Sequence, residues 1–264
     1  MPRCPPALRR LPVAIAVLPL AAIAAVLAAC PATAVAGGKP KVANAEVQVA
    51  LCGDPAAIER ALKLAPRGPP QAVHLFDDAA LSLFARGVRI RLRSGPDGDE
   101  LTLKVADQDC AAVPPALLPR GAGKCEYDLH GDKLAGAVSL SQRIGADAAR
   151  DLVAGRASLA SQLAPAQVGY LRDVVKLWPL PDGVAALGPI ALTTWRDAGK
   201  RYDVDVTRLP GGDGYVEISR KVAADDVPRA RAGLDRDLRQ AGVEACADQS
   251  AQAVNKLRAL QRPR

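Results

Sequence analysis

Apolar and polar residues alternate in short runs along this chain, the period-two signature of strands with one buried face. In Val88-Arg89-Ile90-Arg91-Leu92-Arg93 the aliphatic residues point one way and three arginines the other. Leu101-Thr102-Leu103-Lys104-Val105 repeats the split, and the intervening Ser94-Gly95-Pro96-Asp97-Gly98 predicts a hairpin turn. Further strands are predicted at 43–51, 73–76, 124–129, 138–144, 192–196, 202–208 and 215–222, with a second hairpin turn at Pro210-Gly211-Gly212-Asp213-Gly214. Helices are predicted at 57–64 (Asp54 as N-cap, Pro55 at the first position), 79–84 (stopped by Gly87), 146–152, 159–172 (broken near Pro165), 227–241 and 251–260. The order lacks a regular β-α-β alternation, which predicts an α+β fold with a mostly antiparallel sheet.

The polar faces differ in sign. They are basic on 88–93 and 101–105. Elsewhere they carry Glu126 and Asp128, then Asp203 and Asp205, then Glu217, Ser219 and Lys221. Two architectures satisfy this pattern. In one, a half-solvated sheet turns its charges to water and its apolar face to helices. In the other, the sheet curls until the charged faces meet around a tunnel. Such a tunnel would hold a polyanion on its arginines, whose planar donors suit phosphate oxygens, and a hard cation on its carboxylates.

Residues 1–30 set a different context. Arg3, Arg9 and Arg10 precede an unbroken apolar and proline run from Leu11 to Ala29, and no acid occurs before Glu46. This is the pattern of an export signal. Leu27-Ala28-Ala29-Cys30 fits a lipobox, which predicts a lipoprotein signal at 1–29, lipidation at Cys30, a tether at 30–42 and a domain at 43–264. The protein would then be lipid-anchored in the cell envelope, on the periplasmic side. Cleavage after Ala34-Val35-Ala36, giving a soluble secreted protein, and an uncleaved anchor are the alternatives.

Loss of the signal lowers the formal charge of +7 by three. No Lys/Arg tract with interleaved aromatics is present, so nucleic acid is not an expected partner. Cys52, Cys110, Cys125 and Cys246 remain, an even number suited to an oxidising compartment. The expected pairs are Cys110–Cys125, flanking one loop, and Cys52–Cys246, tying the first strand to the C-terminal region. A zinc site is the alternative, but no CxxC or HxxxH spacing occurs. Nor does a P-loop, G-x-S-x-G or HExxH. His74 and His130 read as surface or strand-end residues, and Trp178, Trp195 and the tyrosines as core.

The stretch His74-Leu75-Phe76-Asp77-Asp78-Ala79-Ala80-Leu81-Ser82-Leu83-Phe84-Ala85-Arg86-Gly87-Val88-Arg89-Ile90-Arg91-Leu92-Arg93 resembles a block of the CYTH superfamily, the triphosphate tunnel metalloenzymes. Leu101-Thr102-Leu103-Lys104 is similar to the strand that follows there, and Gly214-Tyr215-Val216-Glu217-Ile218-Ser219 to a later one. The resemblance implies an antiparallel β-barrel tunnel flanked by helices. By position it assigns Arg89, Arg91 and Lys104, with Arg196 as a further arginine, to an anionic, phosphate-containing ligand; Arg93, on the same strand face, is a candidate beside them. It assigns Glu46 and Glu217 to Mg2+ or Mn2+. The family's first strand reads Glu-x-Glu-x-Lys; here it is Glu46-Val47-Gln48-Val49-Ala50, and Ser219 stands where a second glutamate is usual. Two of four carboxylates are missing, with Asp203, Asp205, Glu126 and Asp128 as candidate substitutes. The expectation is an exported barrel that binds a phosphate-rich anion with weak or lost catalysis. A metal-dependent triphosphatase and an envelope interaction protein without a small-molecule ligand are the alternatives.

Overall fold

The computed structural model describes residues 44–249 and 251–261. The expected signal 1–29, the tether 30–42 and Cys30 lie outside the described residues. The chain runs β1 (Asn44–Cys52), α1 (Pro55–Ala61), β2 (Ala65–Pro66), β3 (Gln71–Asp77), α2 (Ser82–Ala85), β4 (Val88–Gly95), β5 (Gly98–Val105), β6 (Gly123–His130) and β7 (Lys133–Ile144). It continues through α3 (Ala146–Val153), α4 (Leu159–Gln162), α5 (Pro165–Tyr170), β8 (Ala185–Arg196), β9 (Asp203–Arg208), β10 (Gly214–Ala223), α6 (Val227–Ala241), β11 (Glu244–Ala245) and α7 (Ala251–Leu260).

Nine strands close on themselves. In the order β10-β9-β8-β3-β4-β5-β7-β6-β1 each bonds to the next, and β1 returns to β10. Neighbours are antiparallel except β1 and β6, which run parallel. The two-residue β2 and β11 extend β8 and β1. The sheet is therefore the closed barrel, and the open half-solvated sheet is not formed.

Alternation decides which residues face out. Val88, Ile90 and Leu92 of β4, with Leu101, Leu103 and Val105 of β5, are buried against Ala149, Leu152, Leu159, Tyr170 and Leu171. Full burial of such a side chain contributes about 1.5–3 kcal/mol. On the other side of the barrel, Val47, Val49, Val204, Val206, Val216 and Ile218 pack on α6 through Val227, Ala230, Leu234 and Leu238. Those four recur at helical spacing, and Gly242 ends the helix at φ 65°. Gln167 pins α5 to the barrel: buried, it donates to the carbonyls of Leu101 (3.2 Å) and Leu140 (2.9 Å) and accepts from the Ala164 amide (2.9 Å).

Both expected disulfides form, Cys52–Cys246 and Cys110–Cys125, so these cysteines are not zinc ligands. The second lies beside Gly136, where an added Cβ would stand 2.0 Å from the Gln108 carbonyl oxygen; only glycine admits the loop there.

Several boundaries differ from expectation. β8 starts at Ala185, not at 192, because Gly188-Pro189 does not end the strand. It is absorbed where the β3–β8 register slips between Val73 and Leu75, with Gly188 at φ 126°. Residues 79–84 are helical only from Ser82, since Leu81 is left-handed (φ 58°). The Asp77 carboxylate holds this turn, accepting from the amides of Asp78 (2.9 Å), Leu83 (3.0 Å) and Phe84 (3.0 Å). Tyr170 and Tyr202 are core residues as expected. Tyr215 instead belongs to a separate apolar group on the barrel's inner side.

Candidate functional site

The inner face is fixed by register, because directly paired residues of neighbouring strands project to the same side. Arg89, Arg91 and Arg93 pair with Lys104, Thr102 and Glu100 on β5. Lys104, Thr102 and Glu100 pair with Ser139, Ser141 and Arg143 on β7. Around the seam, Gln48 pairs with Ser219, Glu46 with Lys221 and Ala50 with Glu217. Glu217 pairs with Asp205, and Asp205 with Thr194. Since the alternate residues of these strands face the helices, this set lines the tunnel. The structure thus brings Arg89, Arg91, Arg93, Lys104, Arg196, Glu46 and Glu217 to one lumen.

Within it, charges are treated unequally. Lys104 is held by Asp128 at 2.5 Å. Arg196 is held by Asp203 (2.9 Å), which also takes Arg67 (3.1 Å). Glu126 takes Lys124 (2.6 Å) and Lys221 (3.7 Å). Thr194 donates to Asp205 at 2.7 Å. By contrast, Arg89, Arg91 and Arg93 have no hydrogen-bonded or ion-pair partner among the described residues, and Arg93 Nε is buried and unsatisfied. Arg89 stays solvent-exposed and stacks on Phe84, its guanidinium carbon 5.3 Å from the ring centroid. Burial, reinforced by the neighbouring Arg93, lowers the Arg91 pKa to about 10, and the group remains charged at neutral pH. Although the Arg89 side chain reaches solvent, the barrel wall around it partly desolvates the guanidinium and lowers its pKa, against the pull of Glu217, Asp128 and Asp107. Three cations on one wall, Arg91 among them deeply desolvated and none with a contact counterion among the described residues, are an anion-seeking array.

The acidic side does not make a cation site of the same quality. Gln48 and Ser219, where the resembled family carries carboxylates, face each other directly across β1 and β10. Glu46 and Glu217 lie on adjacent strands, but Glu217 is paired with Ala50, four residues from Glu46 and about 13 Å along the strand. Asp128, Glu126 and Asp203, three of the proposed substitutes, are in ion pairs. Among the described residues no three His, Cys, Asp or Glu side chains group so as to hold a metal ion. The donor set does not fit a divalent cation.

Two features were not legible in the sequence. Lys124 joins the lumen, beside the Lys221 that alternation already placed on a polar face, because β6 lies beside β1 and β1 beside β10. Lys256 of α7 reaches the tunnel mouth, where its ammonium lies 5.2 Å from the Tyr215 ring centroid. A surface cavity of about 470 Å³ beside Arg86, Asp107 and Val174 lacks such converging charge and lies apart from the lumen. No helix among the described residues is long and apolar enough to cross a membrane.

No family model and no curated protein matches the sequence. Solved structures do. One is a Hippeastrum protein assigned as an adenylyl cyclase, described as having a dominant triphosphatase activity. It is 16% identical, with a TM-score of 0.52 over 83% of this chain and 99% of that chain. Another is a Bacillus halodurans protein assigned as an adenylate cyclase, 12% identical, with a TM-score of 0.53 over 80% of this chain and 98% of that one. At these identities the likeness establishes the fold alone, a closed tunnel barrel with flanking helices.

Proposed function

We propose that this protein binds a phosphate-rich anion, such as tripolyphosphate or polyphosphate, in its tunnel, with catalysis weak or lost. The observation that carries the reading is the row of three guanidiniums on β4, inward-facing and without contact counterions. Thr102 and Ser141, hydroxyl to hydroxyl at 2.9 Å beside Arg91, add neutral donors to the same wall. The acidic side supports the loss of catalysis, since metal-assisted phosphoryl transfer depends on a cation these residues are not arranged to hold. Arg89, Arg91 and Arg93 are assigned to the ligand, with Lys104 and Arg196 as cations held ready by Asp128 and Asp203.

We further infer export as a lipid-anchored envelope protein. The lipobox ending at Cys30 supports this, as do two disulfides of the kind that persist in oxidising compartments. The second reading, a metal-dependent triphosphatase, is favoured by the likeness to the Hippeastrum structure. Calorimetric titration with tripolyphosphate tests the first reading. Binding is expected for the wild type and strong weakening for Arg89→Ala/Arg91→Ala; unchanged binding in the double variant removes the proposal. Phosphate release from tripolyphosphate or ATP with Mg2+ or Mn2+, above that of the same variant, would establish the second reading in its place.

A further inference from the structure

The C-terminal helix α7 crosses one mouth of the barrel and is fastened at both ends. At its leading end, Cys246 is bonded to Cys52 and donates its amide to the Ala50 carbonyl at 2.8 Å. The Gln249 side chain takes the Ala50 amide (2.7 Å) and donates to the Ala50 carbonyl (3.1 Å). At the far end, Gln261 donates to the carbonyls of Asp78 (3.1 Å) and Ala79 (3.2 Å) in the turn after β3. Ala259 and Leu260 pack onto an apolar patch that includes Val73, Ile190 and Leu192. Val73 pairs with Arg93 and Ile190 with Val73, so this patch is on the lumen side.

Between these anchors stands Lys256. Its position follows from the Tyr215 contact, because Tyr215 lies two residues before Glu217 on the same inner face of β10. Across β9 from Glu217 is Asp205, and across β1 is Ala50, whose small side chain leaves room beside the carboxylate. Electrostatics agree. Burial lowers the Lys256 pKa and Glu217, then Asp205, oppose that; burial raises Glu217, and Lys256 is the foremost group opposing it.

We propose that Lys256 is the built-in cation of this tunnel: its ammonium, delivered by α7, neutralises the Asp205–Glu217 pair, so that the anion site works without a divalent ion and excludes one. The proposal rests on the anion-binding reading only for its metal-independence; the exclusion of metal is independent of that reading. An ammonium at the Tyr215 end of β10 supplies one positive charge to the carboxylates beside it, where a hard cation would need several free oxygens. Removing it would leave two adjacent carboxylates uncompensated and open to a cation.

Electron paramagnetic resonance of Mn2+ mixed with the anion-free, disulfide-intact protein tests this. The wild type and Lys256→Arg are expected to leave the free Mn2+ signal unchanged. Lys256→Ala, with α7 still tied by Cys246, Gln249 and Gln261, is expected to bind Mn2+ at least about tenfold more tightly. Adding Glu217→Gln should abolish the gain. A thermal melt checks that each variant is folded, and tripolyphosphate titration in EDTA tests the metal-independence. The proposal is overturned if the wild type binds Mn2+ at a site lost in Glu217→Gln, or if folded Lys256→Ala gains no site. Absence of tripolyphosphate binding alongside a gained Mn2+ site would count against the anion reading, leaving the role of Lys256 intact.

Discussion

Opposite walls of the tunnel handle charge in opposite ways. β4 lies four strands from β1 in one direction and four from β10 in the other, so it faces the β1–β10 seam. On β4 three guanidiniums stand without contact counterions among the described residues, and the Nε of Arg93 is buried and unsatisfied. On the seam, Gln48 stands opposite Ser219, Glu46 stands in register with Lys221, whose ammonium reaches Glu126, and the field of Lys256 acts on Glu217. A charge held without a contact counterion is relieved by a ligand of opposite sign, whereas on the seam two of the family's carboxylate positions are neutral and cations lie near the acids that remain. One wall is therefore poised for an anion, and the other is closed against a cation. The lesson is that a barrel of this kind can keep half of an ionic site while the other half is occupied by its own side chains.

The largest effect should come from packing behind the walls, where they do not differ. Ile90→Ala behind β4 and Leu234→Ala behind the seam are each expected to cost about 2–5 kcal/mol in urea unfolding. A difference well beyond that range between the two would place the contrast in the scaffold and not in the lumen. Next, Arg91→Ala should weaken tripolyphosphate binding about tenfold to a hundredfold, the loss of a charge-assisted contact of about 1.5–3 kcal/mol. Lys221→Ala, on the seam and paired with Glu126, should change it by less than about threefold. Equal losses would erase the comparison.

A smaller effect sharpens it. Gln48→Glu/Ser219→Glu places like charges directly opposite, which should cost about 0.2–1 kcal/mol without metal. Added Mn2+ should recover the loss only in that double variant, as read from the melting temperature. The smallest effect is that of pH. Burial holds the Glu217 pKa above its ordinary value of 4.5, so Glu217 takes up its proton at a higher pH than an exposed glutamate and the lumen then becomes more positive. Sulfate, whose charge is constant over the range, should bind more tightly as pH falls through that titration. Glu217→Gln should show a flatter profile; a wild-type profile no steeper than that of the variant would show that Glu217 does not sense the anion.

Much of the barrel was legible in alternation alone. The β4 and β5 pattern gives both the buried aliphatic face and the basic one, and two Gly-rich turns give the hairpins. Alternation could not say whether the polar face meets water or itself, because closure depends on β1 pairing with both β6 and β10, contacts remote in sequence. The same limit hid the ion pairs. Lys104 reads as a free cation until β6 brings Asp128 within 2.5 Å. Lys256 reads as the polar side of an ordinary helix until the Cys52–Cys246 bond and Gln261 stretch α7 across the mouth. The strand read from 192 begins earlier, at Ala185, because pairing with β3 carries it through Gly188-Pro189 at a register slip.

The most direct test is a crystal structure of the disulfide-intact protein soaked with tripolyphosphate and Mn2+. The account predicts phosphate oxygens on the guanidiniums of Arg89, Arg91 and Arg93, with Lys256 against Glu217 and no Mn2+ between Asp205 and Glu217. Tripolyphosphate bound outside the barrel, or held in the lumen through Mn2+ on Glu46 and Glu217 with α7 displaced, would contradict it.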